Sequence, residues 1–179
     1  MREEVFEPLG LGSAGFGPPM PTKDIPQPWG HRKIFGIVKT AMDPTQHPDN
    51  PPIMGPAGTV HMNLSDILRY ANAHLQGDLA HHGGLKDGTN KPYLQPRTWK
   101  RLHTENTNEY AYGWVVPKQR KWADGRVIWH NGSNTMWYAV IAIAPNKNAV
   151  FAFATNDGDT KKADKAFGAL LSEFGAKLK

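Results

Sequence analysis

Four serines occur in the 179 residues, Ser13, Ser65, Ser133 and Ser172, and there is no cysteine. Thiolate and disulfide chemistry are therefore excluded, and a serine hydroxyl becomes a nucleophile only beside a base. Ser133 is the natural candidate, with His130 three residues before it in Trp129-His130-Asn131-Gly132-Ser133. Residues three apart on a strand point to opposite faces, so this pair meets only if the chain bends after Gly132. Asn-Gly is also a common turn dipeptide, and taken alone these residues read as a plain connection between strands.

The eight histidines suggest metal at first sight, His81-His82 above all. No His-x-x-x-His pair shares a helix with a carboxylate, so neither metal nor cofactor is expected. His74 is read on a helix face and His81-His82 in a loop. Asp157-Gly158-Asp159 lacks the later ligand positions of a calcium loop and reads as a helix-capping turn. The formal charge is +5, densest at Lys118-Gln119-Arg120-Lys121. No zinc-finger, RNA-recognition or helix-turn-helix pattern accompanies it, so the run reads as a solvated hairpin surface and no nucleic-acid partner is expected. No apolar run is long enough to span a bilayer, and Met1-Arg2-Glu3-Glu4 leads into no signal-peptide core.

These groups must be positioned by an N-terminal half rich in loops and a C-terminal half of regular structure. Residues 3–9 read as the end of a helix closed by Pro8-Leu9-Gly10. Residues 12–58 are loop-rich, with proline doublets and one short strand over 31–39; a loop of this length is functional or wraps a surface supplied elsewhere. Asn63 with Asp66 forms a box-like N-cap, followed by the stripe Leu64, Ile67, Leu68, Ala71 and Leu75, and Gly77 ends that helix. A second helix runs from Gln95 to Leu102, with Pro96 in its first turn. From residue 110 the period shortens, and strands are expected over 112–116, 126–130, 136–144 and 149–155. The last two are apolar on both faces, the mark of a sheet covered on both sides. A terminal helix over 161–177 buries Ala163, Phe167, Leu170, Leu171, Phe174 and Leu178. The fold class is α+β: an antiparallel C-terminal meander packed with a C-terminal helix, plus a loop-rich helical N-terminal part. One domain is expected over 1–179, divided into a helix-and-loop excursion (1–109) and the sheet with its helix (110–179).

Four pieces of sequence, in order, carry a resemblance. They are Val5-Phe6-Glu7-Pro8-Leu9-Gly10-Leu11; Pro56-Ala57-Gly58 leading into Asn63-Leu64-Ser65-Asp66-Ile67-Leu68-Arg69-Tyr70; Tyr112-Gly113-Trp114; and Trp129-His130-Asn131-Gly132-Ser133, followed by a strand, Pro145, a strand and Thr155-Asn156. Together they resemble the C-terminal portion of serine β-lactamases and penicillin-binding-protein-like hydrolases, and so imply a partial β-lactamase/transpeptidase-like fold. The fourth piece is similar to that family's Lys-Thr-Gly element on the strand lining the active site. The resemblance places His130 at the lysine, Asn131 at the threonine and Gly132 at the glycine. It makes the backbone N–H of Ser133 an oxyanion donor. A strand edge can offer that N–H to developing charge, a glycine clears space for substrate, and the preceding side chain can hold a carboxylate or pass a proton. His and Asn depart from Lys-Thr, which favours an esterase- or peptidase-like reading over penicillin recognition. Trp114, Trp137 and Tyr138, with Trp129, are read as an apolar acyl pocket or as sheet core.

The family's Ser-x-x-Lys is not in this sequence: three residues after the serines stand Phe16, Leu68, Met136 and Gly175. Tyr70-Ala71-Asn72 has the letters of the family's Tyr-x-Asn but lies on the wrong helix. In the family both motifs precede the segment similar to Val5. The expectation is a chain beginning inside a longer ancestor, as a truncated gene, a split protein or an expressed piece. The preferred reading is a partial serine hydrolase, inactive alone, whose open sheet edge calls for a homodimer or a complementing N-terminal half. The alternatives are a small ester or amide hydrolase using Ser133, and a non-catalytic module for peptide or acyl ligands. Relatives of this kind are exported or periplasmic; this chain gives no compartment.

Overall fold

The apolar run Tyr138–Ala144 finds its neighbours on both sides in sequence. In the computed structural model, which describes residues 1–24, 26–46, 49–83, 93–175 and 177–178, this run is the centre of an antiparallel sheet. Among the described residues, seven strands and three α-helices build the fold. They are β1 (Gly15–Phe16), β2 (Gly30–Ile34), β3 (Val38–Met42), β4 (Val60–His61), α1 (Leu64–His81), α2 (Pro96–His103), β5 (Ile128–Ser133), β6 (Tyr138–Ala144), β7 (Ala149–Thr155) and α3 (Thr160–Gly175). The sheet has the order β5-β6-β7, with Ile128 opposite Ile143 and Ser133 opposite Tyr138. β1 pairs with β4 and β2 with β3 as separate two-stranded ladders.

Alternation along β6 divides the core. Tyr138, Val140, Ala142 and Ala144 pack with Ala163, Phe167 and Leu171 of α3. Ile143 turns the other way and packs with Ile128, Ala71, Leu75 and Trp114 under α1. A sheet buried on both faces is the arrangement that continuous apolar strands require. On α3 the expected stripe is buried at Ala163, Phe167 and Leu171, while Phe174 and Leu178 remain exposed.

Helix α1 starts where its cap residue stands: Asn63 Oδ1 accepts the Asp66 N–H at 2.8 Å. Asp66 does not close the box on Asn63. Its carboxylate instead accepts the Ser13 hydroxyl at 2.6 Å and the Ser13 amide at 2.8 Å, which ties the N-terminal loop to the helix. Those hydrogen bonds hold the Asp66 carboxyl below the usual carboxylate range. The expected stripe holds at Ala71 and Leu75, but Leu64 and Leu68 are exposed. The buried face is polar instead, through His74 and Asp78.

Gly77 does not end α1; the helix runs on to His81 and His82 caps it. A Cβ at Gly77 would lie 2.2 Å from the Trp99 ring, so this glycine exists for close packing of α2 on α1. Other boundaries differ for equally local reasons. The segment 31–39 is a hairpin rather than one strand, because Phe35 and Gly36 take positive φ of 51° and 73° and reverse the chain. Residues 112–116 make isolated bridges, Tyr110 with Val115 and Val115 with Trp129, since Gly113 turns the chain between them. The N-terminal helical piece is a single wide turn over Arg2–Phe6. Asp159 caps α3 as expected, accepting the Lys162 N–H at 3.3 Å. Arg120 pairs with Gly125 around the basic turn.

Between α1, α2 and the sheet lies a buried polar chain. His103 Nδ1 is 3.2 Å from the Asp78 carboxylate, and His74 Nδ1 is 2.9 Å from His103 Nε2. A carboxylate only accepts, so His103 Nδ1 donates to Asp78. Arg126, two residues before β5, pairs with the other Asp78 oxygen. Burial opposes ionisation of Asp78, but the hydrogen bonds from His103 and Arg126 prevail and hold its carboxyl below the ordinary range. Burial, reinforced by His103, pushes His74 down to about 3.

Two measurements check this packing. Gly77→Ala should cost about 1–3 kcal/mol in urea unfolding, since the added methyl meets a rigid indole; an unchanged midpoint would mean that α2 does not seat on α1. Stability should also fall on acidification. The unfolded histidine takes a proton near pH 6.5 that folded His74 refuses until about pH 3. In that window the loss from this group approaches about 1.4 kcal/mol per pH unit, and none arises above it. Asp78, depressed when folded, adds a further loss only as the pH falls through its own folded value. His74→Phe should flatten the slope between pH 6 and 4, and an unaltered slope would remove His74 from the account.

Candidate active-site strand

Strand β5 has two unlike edges. One is bonded along its length to β6, whose register sets His130 opposite Ile141 and Gly132 opposite Ala139. The other is held only at its start: Trp129 N–H donates to Val115 O at 2.9 Å, Val115 N–H returns to Trp129 O at 2.8 Å, and Val127 N–H reaches Pro117 O at 3.1 Å. Main-chain groups alternate sides along a strand. Trp129 faces outward, so the N–H groups of Asn131 and Ser133 face outward too. No backbone group among the described residues pairs with them there. A Cβ at Gly132 would meet nothing within 4 Å, so the space over this glycine is open.

The same alternation separates the side chains. His130 lies on the α1 face, with Ile128; Asn131 and Ser133 lie on the α3 face, with Val140 and Tyr138. Asn131 Nδ2 donates to Tyr138 Oη at 3.2 Å, and the Tyr138 hydroxyl donates to the Asp164 carboxylate of α3. Burial first, then the bond to Asp164, pushes the Tyr138 phenol up to about 12. This trio anchors β5 to α3.

Ser133 Oγ donates to Trp137 O at 2.7 Å and accepts the Thr135 N–H at 3.0 Å, closing the turn into β6. It lies on the face opposite His130, and no bend after Gly132 brings the two together, so the Ser133 hydroxyl has no base. Ser13 is engaged with Asp66, and Ser172 with the Gly168 carbonyl of its own helix. Among the described residues, no serine hydroxyl bonds to a histidine or a lysine.

Trp114, Trp137 and Tyr138 do not line one pocket. Trp114 is 6% exposed and packs on Tyr70, His74 and His103. Trp137 sits at the turn, its indole donating to Pro28 O at 3.0 Å. Tyr138 is 2% exposed beneath α3. Trp114 and Tyr138 are buried and Trp137 is partly buried. Tyr70 is stacked on Trp114, and burial raises its phenol. No group of three or more metal-ligating side chains occurs among the described residues. No helix among them is long and apolar enough to cross a membrane.

One neighbour of the strand was not legible from spacing. Tyr110 Oη lies 3.2 Å from His130 Nε2, with the rings edge to face at 6.0 Å. His130 Nδ1 lies 2.6 Å from Asn131 O. Tyr110 is placed by two tight turns. Asn108 and Glu109 take φ of 47° and 59° before it, and Gly113 takes 79° after it. The segment is then pinned through Val115 to β5. The sequence signal was Asn108 before Tyr-Ala-Tyr-Gly, a turn composition with no pointer to a histidine twenty residues on.

Comparison with known proteins gives the context. The family model described as Beta-lactamase matches residues 1–173. No curated protein matches the chain. The octameric penicillin-binding protein homologue from Pyrococcus abyssi superposes with a TM-score of 0.66 at 16% identity, over 95% of this chain and 36% of that one. The crystal structure of SurE superposes with a TM-score of 0.66 at 18% identity, over 96% of this chain and 39% of that one. At such identities the likeness is one of fold, and the chain spans little more than a third of the length of either structure.

Proposed function

The chain belongs to the Beta-lactamase family, and from that premise we propose that β5 is the oxyanion-side strand of a serine acyl-transfer site whose nucleophile these 179 residues do not supply. The open edge of β5 carries this reading: outward N–H groups at Asn131 and Ser133 beside unobstructed space at Gly132. An ester or amide carbonyl lying along that edge would receive the Ser133 N–H as its oxygen gains charge, with no reorganisation at the moment of reaction. Anchoring of Asn131 to Tyr138 and Asp164 keeps the strand rigid while this happens.

Substrate class follows from the departures at the two positions before the glycine. The Asn131 side chain is turned toward α3 and offers no hydroxyl or carboxamide to the outer edge, and the resemblance sets His130 where a permanent cation would hold a carboxylate. An ester or a D-Ala-type peptide therefore suits the site better than a β-lactam. Among the described residues no serine hydroxyl bonds to a histidine or a lysine, and no Ser-x-x-Lys is present. Acylation thus needs a complementing polypeptide that brings Ser-x-x-Lys to the open edge. A second copy of this chain would cover the edge but bring no such motif, so a homodimer would protect the strand without completing the chemistry.

Intact mass and peptide mapping after incubation with a fluorophosphonate, with a penicillin alongside, test this. Folded protein should show no serine adduct with either reagent. An adduct on Ser133 or any other serine would overturn the reading by showing an activated nucleophile within the chain.

A further inference from the structure

Both ring nitrogens of His130 have partners within the chain. Asn131 O can accept but not donate, so the close contact with His130 Nδ1, 2.6 Å, puts the imidazole proton on Nδ1. Nε2 then carries the lone pair, and the Tyr110 hydroxyl 3.2 Å away donates to it. Both ring nitrogens are thereby occupied. Tyr110 is 39% exposed, whereas His130 is only partly so, and the phenol is the more accessible member of the pair. Among the described residues no other tyrosine hydroxyl donates to an imidazole. Tyr138 gives its proton to Asp164, Tyr70 is half-buried against Trp114, and Tyr112 lies beneath the Arg101 guanidinium at 5.5 Å.

We propose that Tyr110 and His130 form a proton-transfer dyad in which the Tyr110 phenol oxygen is the reacting atom and His130 is its base. The arrangement is fixed before any ligand arrives, because Tyr110 is clamped between two turns and bridged through Val115 to the strand that bears His130. In acyl transfer, a role that rests on the active-site reading of β5, an attacking hydroxyl gives its proton to the Tyr110 oxygen. The phenol proton passes to Nε2, and the resulting imidazolium keeps its Nδ1–H on Asn131 O. The reverse transfer protonates the leaving group. Each step breaks one O–H or N–H bond and forms another, and no co-reactant is needed. The dyad supplies at this edge the proton transfer for which Tyr70-Ala71-Asn72, on α1, is misplaced.

The same polarisation makes the phenol a nucleophile toward an aryl sulfonyl fluoride, independently of any serine chemistry. The phenol oxygen bonds to sulfur, the S–F bond breaks, fluoride leaves, and the phenol proton ends on Nε2. Labelling of the whole chain at neutral pH, followed by peptide mapping, should modify Tyr110 at least about tenfold faster than Tyr112. Tyr112 is the internal control, since it is the more exposed of the two at 50%. His130→Gln can accept the hydrogen bond but not the proton. It should reduce Tyr110 labelling to the Tyr112 rate while Tyr112 is unchanged, which also reports that the variant is folded. Imidazole ¹⁵N shifts of the unsubstituted chain should show His130 protonated at Nδ1 and bare at Nε2. Equal labelling of the two tyrosines, labelling of Tyr110 that survives His130→Gln, or an Nε2–H tautomer would each overturn the dyad. A serine adduct in the fluorophosphonate experiment would instead overturn the reading of the strand and leave the dyad standing.

Discussion

A three-stranded sheet whose central strand is apolar on both faces has to be covered on both, and the chemistry of this chain follows from how that is done. Helix α3 takes the face of Tyr138, Val140 and Ala142, and α1 takes the face of Ile141 and Ile143. Once β6 is committed in this way, the antiparallel register commits β5, because a slip of one residue would exchange every side chain between the two faces. His130 is thereby sent toward Tyr110, Asn131 toward Asp164, and the N–H groups of Asn131 and Ser133 toward the outer edge. The helical layer under β5 is held by polar groups, the His74–His103–Asp78–Arg126 chain, and such a network is specific only while every member is satisfied. It joins the two helices to Arg126, two residues before the strand.

How much of this was legible in the sequence depends on what encodes it. The sheet and α3 were, because their period of two and of 3.6 residues is written in Val140, Ala142, Ala163, Phe167 and Leu171. The His130–Ser133 strand was recognisable through its flanking pieces, and its offset faces follow from strand geometry alone. The end of α1 was misread, because glycine is ambiguous. Gly77 carries the signature of a helix stop, but it is retained for the Trp99 ring, a contact from outside the helix. Leu64 and Leu68 look like core on a helical wheel and are exposed, while His74 and Asp78 look like surface and are buried.

The parts of the site that were missed share one property: each depends on tertiary proximity without periodicity. Tyr110 reaches His130 because two turns with positive φ place it there, and local propensity names the turns but not their destination. Trp114, Trp137 and Tyr138 are neighbours in sequence space around the strand yet point into α1, the turn and α3 respectively. A shared type and nearness in the chain did not make a pocket, since adjacent strand residues face opposite ways.

The open outer edge of β5 is the claim on which the functional account stands, and backbone amide hydrogen exchange resolved residue by residue tests it most directly. His130 and Gly132, bonded to β6, and Trp129, bonded to Val115, should be protected, whereas the amides of Asn131 and Ser133 should exchange within about tenfold of the unstructured rate. Protection of Asn131 and Ser133 equal to that of Gly132 would mean the edge is already occupied, and a strand with no free donors cannot serve as the oxyanion side of an acyl-transfer site.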